Sequence, residues 1–444
     1  MIIDHFSTFP HGGAGTAARR LHARLVERGV TSRFNYWKDE QDQDLDSSFR
    51  KLEFTANEVS LPILNQVSKK IERRRRRNIC SLYHNHVEER PDQYELFSLP
   101  WTLEKSNFDI NAMGSDIVHL HWMSFFIDYP SFFKSIPDKT PIVWSFHDMN
   151  PLTGGCHYSS NCSRFTVGCG ECPQISNPQA HDASWHGFRS KQKSLRGKTV
   201  HVVTPNQWLS DLAKHSAIFP EATEFHIIRL GLDEKVFQPI DTQEARRQLG
   251  LPDNVALLAF GAEDIENYRK GFHHLISALR QVKTDTPIEC LVFGNGKLPE
   301  NRDGLPKFHE FGFVDSPEKH RLIYAAADLF VLPSREDNQP QTGLEAMACG
   351  TPVVGFRAGG VPEYVRHNKT GLVASMGDET EMADHIRRLV NDVELRERLA
   401  RDARRMIELE FTAELQAKRY IHLYRDIGNR SLPIEQQALF SRAA

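Results

Sequence analysis

Short, continuously apolar segments rich in β-branched residues recur along the chain. Between most of them the apolar residues follow a helical spacing, as at Leu275, Ile276, Leu279 and Val282. Apolar strands that alternate with helices predict parallel sheets covered on both faces, so we expect an α/β fold. The segments predicted as strands are 117–122, 141–146, 199–205, 255–262, 289–296, 328–334 and 351–356.

The strand–helix pattern forms two series, which predicts two Rossmann-like domains. We expect a ligand at the carboxyl ends of the strands, in a cleft between the domains. The first domain is expected to span 1–226, with insertions at about 38–110 and 151–185, and a linker is expected at 227–252. The second domain is expected to span 253–410, and a terminal helix at 411–444 is expected to pack back toward the N-terminal domain.

Composition narrows the class of protein further. The chain has 444 residues, 40% hydrophobic and 25% charged, and a formal net charge of −3. This balance is that of a globular protein and argues against a general nucleic-acid-coating role. No apolar run approaches the roughly 20 residues that span a bilayer, and residues 1–10 lack the basic region of a signal peptide. We therefore expect a cytoplasmic protein.

Residues 335–356 carry the sharpest chemical signal. They follow a predicted buried strand and lead into a helix that is expected to begin near Thr342, where the unpaired N–H groups of Thr342 and Gly343 suit a phosphate. Asp337 and Glu345 lie eight residues apart and could both face one ligand. Carboxylates can accept bonds from vicinal sugar or ribose hydroxyls. The alternative for Glu345 is a capping box with Thr342, which needs no ligand.

Glycine-rich and basic motifs lie at other predicted strand ends. Gly13 and Gly15 fall between a first strand and an amphipathic helix, where they would admit a phosphate or simply form a tight turn. A dinucleotide site would also need an acid after the second strand, but Asn35 is found there, which disfavours a dehydrogenase. Arg269 and Lys270 suit a diphosphate, or else begin a solvated basic helix.

These motifs, in this order, resemble glycosyltransferase family 4. The resemblance is densest over 326–377, where AADLFVLPS, LEAMACGTPVVGF, GGVPE and NKTGLVA match the family pattern. In the first half it depends on GGAGTAARRL, DIVHLHW and SFHD, and HDMNPLTGGCHY with its later cysteines resembles a branch that assembles exopolysaccharide or O-antigen. The resemblance implies a GT-B fold with two parallel-sheet domains facing a cleft, a retaining mechanism and no metal for catalysis.

The resemblance also implies roles for single residues. The spaced acidic pair falls on Asp337, expected at the transferred sugar, and Glu345, expected at the nucleotide ribose. Lys270 matches the lysine that neutralises the diphosphate, and His147 a histidine near the reacting sugar. Where the family commonly has an arginine this chain has Ala262. The expected catalytic residues are Asp337, His147 and Lys270. The expected donor-binding residues are Gly13, Gly15, Arg269, Lys270, Thr342, Gly343 and Glu345.

The expected activity is transfer of a hexose from a nucleoside-diphosphate sugar to a hydroxyl of a glycan or lipid-linked glycan, in cell-surface polysaccharide biosynthesis. A two-carboxylate glycosidase is less attractive, because no second carboxylate is placed as a nucleophile. The alternative is a catalytically silent GT-B subunit that scaffolds an assembly complex, which Ala262 favours. His119 and His121 share one face of a strand and are interpreted as structural or cleft-lining.

Four cysteines lie close together in the second insertion. Cys156, Cys162, Cys169 and Cys172 have the spacing C-x5-C-x6-C-x2-C. Four thiolates can close a tetrahedral zinc site, and one C-x2-C pair is half of the usual zinc-binding spacing. Free thiols and disulfides are the alternatives. We expect this region to order the acceptor-side loop in any of these states.

Residues 60–77 predict a basic amphipathic helix. Leu61, Leu64, Val67 and Ile71 share one helical face, and residues 69–77 carry seven positive charges against one Glu. Such a helix could bind an anionic membrane surface where the acceptor is lipid-linked, or pack on the first domain as an ordinary solvated helix. No aromatic residues interleave with the arginines, so nucleic acid is disfavoured as a partner.

Overall fold

The computed structural model describes residues 1–38, 45–52, 62–103, 108 and 110–431, with the side chains of 62–69 and 430–431 outside the description. The chain divides into two compact units. Unit 1 comprises 1–205, 209–228 and 417–444, and unit 2 comprises 206–208 and 229–416. The predicted linker thus lies mostly in unit 2. Residues 432–444 lie outside the described residues.

Unit 1 is built on a parallel sheet of seven described strands in the order β3-β2-β1-β4-β5-β6-β7. The strands are β1 Ile2–Ser7, β2 Thr31–Tyr36, β3 Phe49–Lys51, β4 Ile117–Leu120, β5 Ile142–Ser145, β6 Val200–Thr204 and β7 Glu224–Ile227. The helices from this part of the chain are α1 Gly12–Glu27, α2 Pro62–His86, α3 Ile110–Met113, α4 Tyr129–Ser135, α5 Ala183–Ser194 and α6 Gln207–His215.

Unit 2 has a parallel sheet of six strands in the order β10-β9-β8-β11-β12-β13. The strands are β8 Ala256–Asp264, β9 Ile288–Asn295, β10 Lys307–Glu310, β11 Leu329–Leu332, β12 Val353–Phe356 and β13 Gly371–Ala374. The helices are α7 Thr242–Leu249, α8 Phe272–Leu279, α9 Pro317–Ala326, α10 Gln341–Ala348, α11 Glu379–Asn391, α12 Val393–Glu410 and α13 Ala413–Ser431, the last of which continues into unit 1.

Continuous burial of the strands explains these sheets. Every residue of β4, β5, β6, β11, β12 and β13 is buried, as expected for strands covered by helices on both faces. In unit 1 one face packs on the terminal helix α13, where Ile3 and Val143 join the same apolar cluster as Tyr420 and Tyr424. The prediction of two parallel-sheet Rossmann-like units is confirmed.

The predicted insertion at 38–110 contains more regular structure than a loop. Strand β3 pairs in parallel with β2 and so extends the sheet of unit 1, a role that its three residues do not reveal. Helix α2 runs for 25 residues. Ser60 and Leu61 of the predicted amphipathic helix lie outside the described residues, as do the side chains of Leu64 and Val67.

Candidate functional site

Asp337 lies on the loop after β11, where two cations converge on its carboxylate. The Arg269 guanidinium donates to Oδ2 at 2.9 Å and the Lys270 ammonium at 2.7 Å. The Asp337 residue is 4% exposed. Burial alone would raise the pKa of Asp337, but Lys270 and Arg269 hold it below its usual value. The carboxylate is therefore ionised, and this three-residue cluster carries a net charge of +1.

Two glycines keep the Asp337 loop in place. The Gly360 N–H donates to the Asp337 carbonyl at 2.9 Å. A Cβ at Gly359 would lie 1.9 Å from that carbonyl oxygen, and one at Gly360 would lie 2.1 Å from the Asn338 oxygen. No side chain fits at such distances. The nearby Glu363 accepts from the backbone N–H groups of Gln207 and Trp208 at 3.0 Å each. The Gly-Gly-x-x-Glu motif therefore shapes the loop and need not touch a ligand.

Helix α10 begins four residues after Asp337. Its N-cap is Pro340, which has no side-chain acceptor for the first N–H groups. Thr342 and Gly343 lie in the first turn, as predicted. Since Thr342 is inside the helix, the capping box with Glu345 does not form. A Cβ at Gly343 would lie 2.5 Å from the Leu332 side chain, so packing requires this glycine as well.

Glu345 is 7% exposed and is the fifth residue of α10. Its Oε2 accepts a hydrogen bond from the Tyr324 hydroxyl at 3.0 Å. Burial, with Glu345 nearby, raises the pKa of Tyr324 well above its usual value. The hydroxyl therefore stays protonated and can orient this carboxylate. Sequence reasoning missed Tyr324, because a tyrosine on a separate helix gives no spacing signal.

The end of β8 explains how the cations reach Asp337 without an arginine at Ala262. Ala262 is 7% exposed and lies within the strand, where an aliphatic side chain fits the core. The cations follow on a 3-10 turn, Tyr268–Lys270, which Gly271 ends at φ 71°. A Cβ on Gly271 would lie 1.9 Å from the Pro333 oxygen. Arg269 thus joins Lys270 at the same carboxylate oxygen.

In unit 1, His147 follows β5 and ends a chain of imidazoles. His147 Nε2 lies 3.3 Å from His121 Nδ1, and His121 Nε2 lies 3.0 Å from His5 Nδ1. Burial lowers the pKa of His147 to about 4, against the opposing effect of Asp148. Burial also lowers the pKa of His5 and of His121. All three imidazoles are therefore neutral near pH 7.

His119 forms a separate network. Its Nε2 lies 2.7 Å from the Ser145 hydroxyl and its Nδ1 lies 2.6 Å from the Tyr424 hydroxyl. His5, His119 and His121 present ring nitrogens within 4.8 Å of one another. The hydrogen bonds nevertheless account for both nitrogens of His119, and all three residues are fully buried or nearly so. The structural interpretation of His119 and His121 fits this arrangement better than a cleft-lining one.

The first glycine motif combines two different environments. A Cβ at Gly15 would lie 2.5 Å from the Phe9 carbonyl oxygen, so this glycine allows the β1–α1 turn to close. A Cβ at Gly13 would meet nothing within 4 Å, and Gly13 is exposed. Of the two predicted donor-binding glycines, the surroundings of Gly13 leave room for a ligand, whereas those of Gly15 are explained by packing.

Part of the chain matches a known protein family. Residues 241–406 match the model for glycosyl transferases group 1. One relative is the N-acetyl-alpha-D-glucosaminyl L-malate synthase of Bacillus anthracis, 28% identical over 44% of this chain and 52% of its own. Another is a GDP-mannose-dependent phosphatidylinositol monomannoside mannosyltransferase of Corynebacterium glutamicum, 28% identical over 56% of this chain and 69% of its own. The first match thus spans about half of that relative's length.

Solved structures resemble the chain over almost all of its length. Sucrose-phosphate synthase of Thermosynechococcus elongatus has a TM-score of 0.65 at 18% identity, covering 96% of this chain and 98% of its own. Anabaena HepE, solved with UDP and glucose, has a TM-score of 0.62 at 17% identity, covering 96% and 100%. At such identities the likeness establishes the fold.

The fold and the strand-end site define a GT-B protein with two Rossmann-like units. Residues 241–406 match the group 1 glycosyl transferases, and together with the relatives and the GT-B neighbours this match supports the family 4-like glycosyltransferase that the motifs predict.

Proposed function

We propose that this chain is a retaining glycosyltransferase that moves a hexose from a nucleoside-diphosphate sugar to a hydroxyl of a glycan or lipid-linked glycan, in cell-surface polysaccharide biosynthesis. The observation that carries this proposal is the placement of Arg269 and Lys270 on Asp337, four residues before the N-terminus of α10. That combination joins two cations and a helix dipole, which together suit a diphosphate.

Charge supports the role of unit 2 as the donor site. The net charge of +1 at the cluster attracts an anionic donor, while Asp337 keeps the two cations fixed before the donor arrives. Fixed charges aimed at a developing negative charge are usually the largest contribution to catalysis. As the bond between the sugar and the diphosphate breaks, the leaving oxygen gains charge, and Lys270 and Arg269 stabilise it. No step of this scheme needs a metal.

The proposed transfer balances within the donor and the acceptor. The acceptor hydroxyl oxygen bonds to the anomeric carbon on the leaving-group face, the bond to the phosphate oxygen breaks with its electron pair, and that oxygen takes the hydroxyl proton. Asp337 orients the hydroxyls of the transferred sugar, and for neutral His147 a role near the reacting sugar is what the family resemblance implies. The Glu345 carboxylate, oriented by Tyr324, accepts from the ribose hydroxyls.

A donor panel tests this proposal. Purified protein is incubated with UDP- and GDP-linked hexoses, with and without extracted glycolipid acceptors, and nucleoside diphosphate release is measured. We expect one donor to be consumed by wild type, and NMR of the product to show the donor's anomeric configuration. Binding of no nucleotide, or equal release by wild type and Lys270→Met, would contradict the assignment.

The buried Ala262 is the observation that favours the alternative of a silent scaffolding subunit, since it removes one cation that the family commonly has. The same donor panel separates the two functions. A silent subunit would bind no donor productively, whereas the pairing of Arg269 with Asp337 retains a second cation at the site.

We also propose that the protein is cytoplasmic and that helix α2 binds an anionic membrane surface. None of the described helices combines the length and apolar composition needed to cross a bilayer. Arg73, Arg74, Arg76 and Arg77 are exposed on α2, and Ile71 is 60% exposed. Arg75 is less exposed than these four and is paired with Asp128 and with Glu72, while Arg76 lies 3.8 Å from the same Glu72. Near anionic lipid each exposed arginine can contribute about 1 kcal/mol.

Flotation with liposomes tests the membrane role. Wild type should float with anionic vesicles, less so at high salt, and not with neutral ones. Changing Arg73, Arg74, Arg76 and Arg77 to Gln should abolish flotation without affecting the fold. Arg75→Gln serves as the contrast, since it removes a structural ion pair and should cost stability instead. Equal flotation of wild type and the fourfold variant would leave α2 as a packing element.

A further inference from the structure

The segment 153–182 of unit 1 is long and has little regular structure. Apart from a single 3-10 turn, Arg164–Thr166, it contains no described helix or strand, yet 153–159 are all buried. The apolar cluster beneath it is small, formed by buried Phe97, Leu99, Cys156, Cys172, Ile175 and Ala183. A loop of this length in a compact unit needs a further source of order.

Four thiols surround one cavity in this segment. Cys156, Cys162, Cys169 and Cys172 all line a cavity of about 20 Å³, and none of the four forms a disulfide. A space of that size accommodates about one small ion or water molecule. The sequence pattern alone shows that the cysteines are near in sequence, and the fold adds that they line one cavity.

Polar groups around the cavity are directed at the sulfurs. The backbone N–H of Gly154 donates to Cys169, and that of Gln174, two residues on, donates to Cys172. The Ser184 hydroxyl also bonds with Cys172. Burial raises the pKa of Cys169 to about 12 and that of Cys172 to about 11, and these donors only reduce the shift. Cys169 itself has φ 50°, a left-handed conformation that costs energy unless its surroundings impose it.

Two cations near the thiols have no carboxylate hydrogen-bond partner of their own. Lys191 is fully buried, and its hydrogen bonds go to oxygens of Asn150 and Thr153. Arg90 has a buried NH1 without any hydrogen-bond partner. Both cations interact electrostatically with Cys156. Asp148 also faces Lys191, but it is bonded to His157 at 2.6 Å. Two positive charges therefore lie beside the four sulfurs, with the Asp148 carboxylate also acting on Lys191 and the Glu95 carboxylate on Arg90.

We propose that Cys156, Cys162, Cys169 and Cys172 form a tetrathiolate site for one structural divalent metal ion, zinc by ligand preference. A divalent ion bound by four thiolates has a net charge of −2, which the neighbouring cations Lys191 and Arg90 offset in part. Binding releases four thiol protons to solvent, and each sulfur donates a lone pair to the ion.

The geometry predicts that the site contracts on binding. In the structure no three of these four sulfurs lie within 4.8 Å of one another, whereas tetrahedral Zn–S bonds place sulfurs about 3.8 Å apart. The cavity supplies the space into which they can move. The ion would also fix His157, next to Cys156, and through it Asp148, which adjoins His147.

Metal analysis of the full chain, purified without chelator, tests the proposal. We expect about one zinc per chain in wild type and in Cys80→Ser, whose cysteine is exposed and outside the cluster. We expect loss of that zinc in Cys172→Ser. Wild type without zinc, or equal zinc in wild type and Cys172→Ser, would overturn the site.

Two further measurements keep the proposal testable if Cys172→Ser fails to fold. Chelated wild type titrated with Co²⁺ should show the charge-transfer absorption of a tetrahedral cobalt tetrathiolate, and its absence would overturn the site. Alkylation under denaturing conditions without reductant should modify all seven cysteines of the chain. A mass showing two disulfides among the four would contradict the metal site in favour of covalent bridging. None of these readouts depends on glycosyl transfer.

Discussion

The carboxyl ends of the two parallel sheets present opposite chemistry. In unit 2 the loop after β11 carries an ionised carboxylate bonded to two cations. In unit 1 the residues at and beyond β1, β4 and β5 form a chain of imidazoles whose pKa values are lowered by burial. Similar topology thus supplies a charged site in one unit and a neutral one in the other.

The difference arises from what is buried with each group. Asp337 can remain charged at 4% exposure because Lys270 and Arg269 compensate its desolvation. Burial is the main reason that protonation of His5 and His121 is opposed, and a charge on one of them would further oppose protonation of the other. Substitutions in the charged site of unit 2 should therefore change the binding of charged ligands. Substitutions among the imidazoles of unit 1 should change the positioning of side chains and the stability of the fold.

The largest effect is expected from Lys270→Met. This variant leaves Asp337 paired with Arg269, so the fold should persist, while the leaving diphosphate loses one cation. By analogy with removal of one transition-state donor, kcat should fall about 100- to 1,000-fold. Initial rates with the identified donor measure this, and circular dichroism checks the fold. Asp384→Asn, which breaks an exposed ion pair of unit 2 with Arg387, is the matched control and should be silent.

Asp337→Asn makes the complementary change. It raises the local net charge from +1 to +2, so nucleoside diphosphate should bind at least as tightly as to wild type while transfer is lost. Calorimetric titration with UDP and GDP separates the two effects. Weaker nucleotide binding in this variant would show that the carboxylate acts mainly by holding the cations in place.

Substitutions of the imidazoles of unit 1 are expected to have smaller effects, which differ according to the hydrogen-bond partners of each histidine. His147→Ala should lower kcat about 10- to 100-fold with little change in melting temperature, because His147 ends the chain. His119→Leu should do the reverse, since it leaves the buried Ser145 and Tyr424 hydroxyls without their imidazole partner, at a cost of about 1–3 kcal/mol. Parallel kinetics and thermal unfolding of both variants test the division. Equal kinetic losses would mean that the two networks act as one.

Local patterns predicted the sheets well and the long-range pairs poorly. The apolar runs that became β4, β5, β6, β11 and β12 were identifiable because strands buried on both faces leave few polar positions. β3 escaped prediction because Phe49–Lys51 is a partly exposed edge strand with one apolar residue.

In the site, sequence motifs predicted Asp337, Lys270 and Glu345 but not what fixes them. Tyr324 is 21 residues from Glu345, and His5 is 116 residues from His121. Only the fold brings such pairs together. Gly15 and Gly343 were predicted to bind the donor, with a tight turn as the alternative for Gly15, and packing requires both of these glycines as well as Gly271. A glycine that close packing requires and a glycine that a ligand requires look the same in the sequence.

On acidification, the buried histidines of unit 1 should lose their contribution to stability at a higher pH than Asp337 of unit 2. The pKa values of His22 and His147 fall from 6.5 to about 4 in the folded protein, so the unfolded chain binds more protons between those values. The free energy of unfolding has its full value above pH 6.5 and decreases as the pH falls toward 4. At pH 5 the loss is at most about 2 kcal/mol per histidine. Asp337, with its pKa below 3.8, loses its contribution only at lower pH.

Unfolding by urea at pH 7 and pH 5 measures this loss. His22→Gln, which can replace the bonds to Ser32 and Ser48, should reduce the pH dependence. His422→Gln should not, because that side chain is 81% exposed. An unchanged pH dependence in His22→Gln would exclude this histidine as a source of the acid sensitivity.

The smallest effect is expected at Tyr324 of unit 2, whose neutral hydroxyl orients the Glu345 carboxylate through a hydrogen bond. Tyr324→Phe removes only the hydroxyl that donates to Glu345 at 3.0 Å. The carboxylate remains buried but is less well oriented, and a lost hydrogen bond of this kind is worth about 1 kcal/mol, or roughly a fivefold change in an equilibrium constant. We expect KM for the donor to rise by about that factor with kcat unchanged, because the ribose is bound equally in the ground and transition states. Tyr420→Phe, which removes a buried hydroxyl partner of Ser145 in unit 1, should leave donor KM unaffected. A fall in kcat for Tyr324→Phe with constant KM would instead place Glu345 in the chemical step, joining it to Asp337 as part of the charged site.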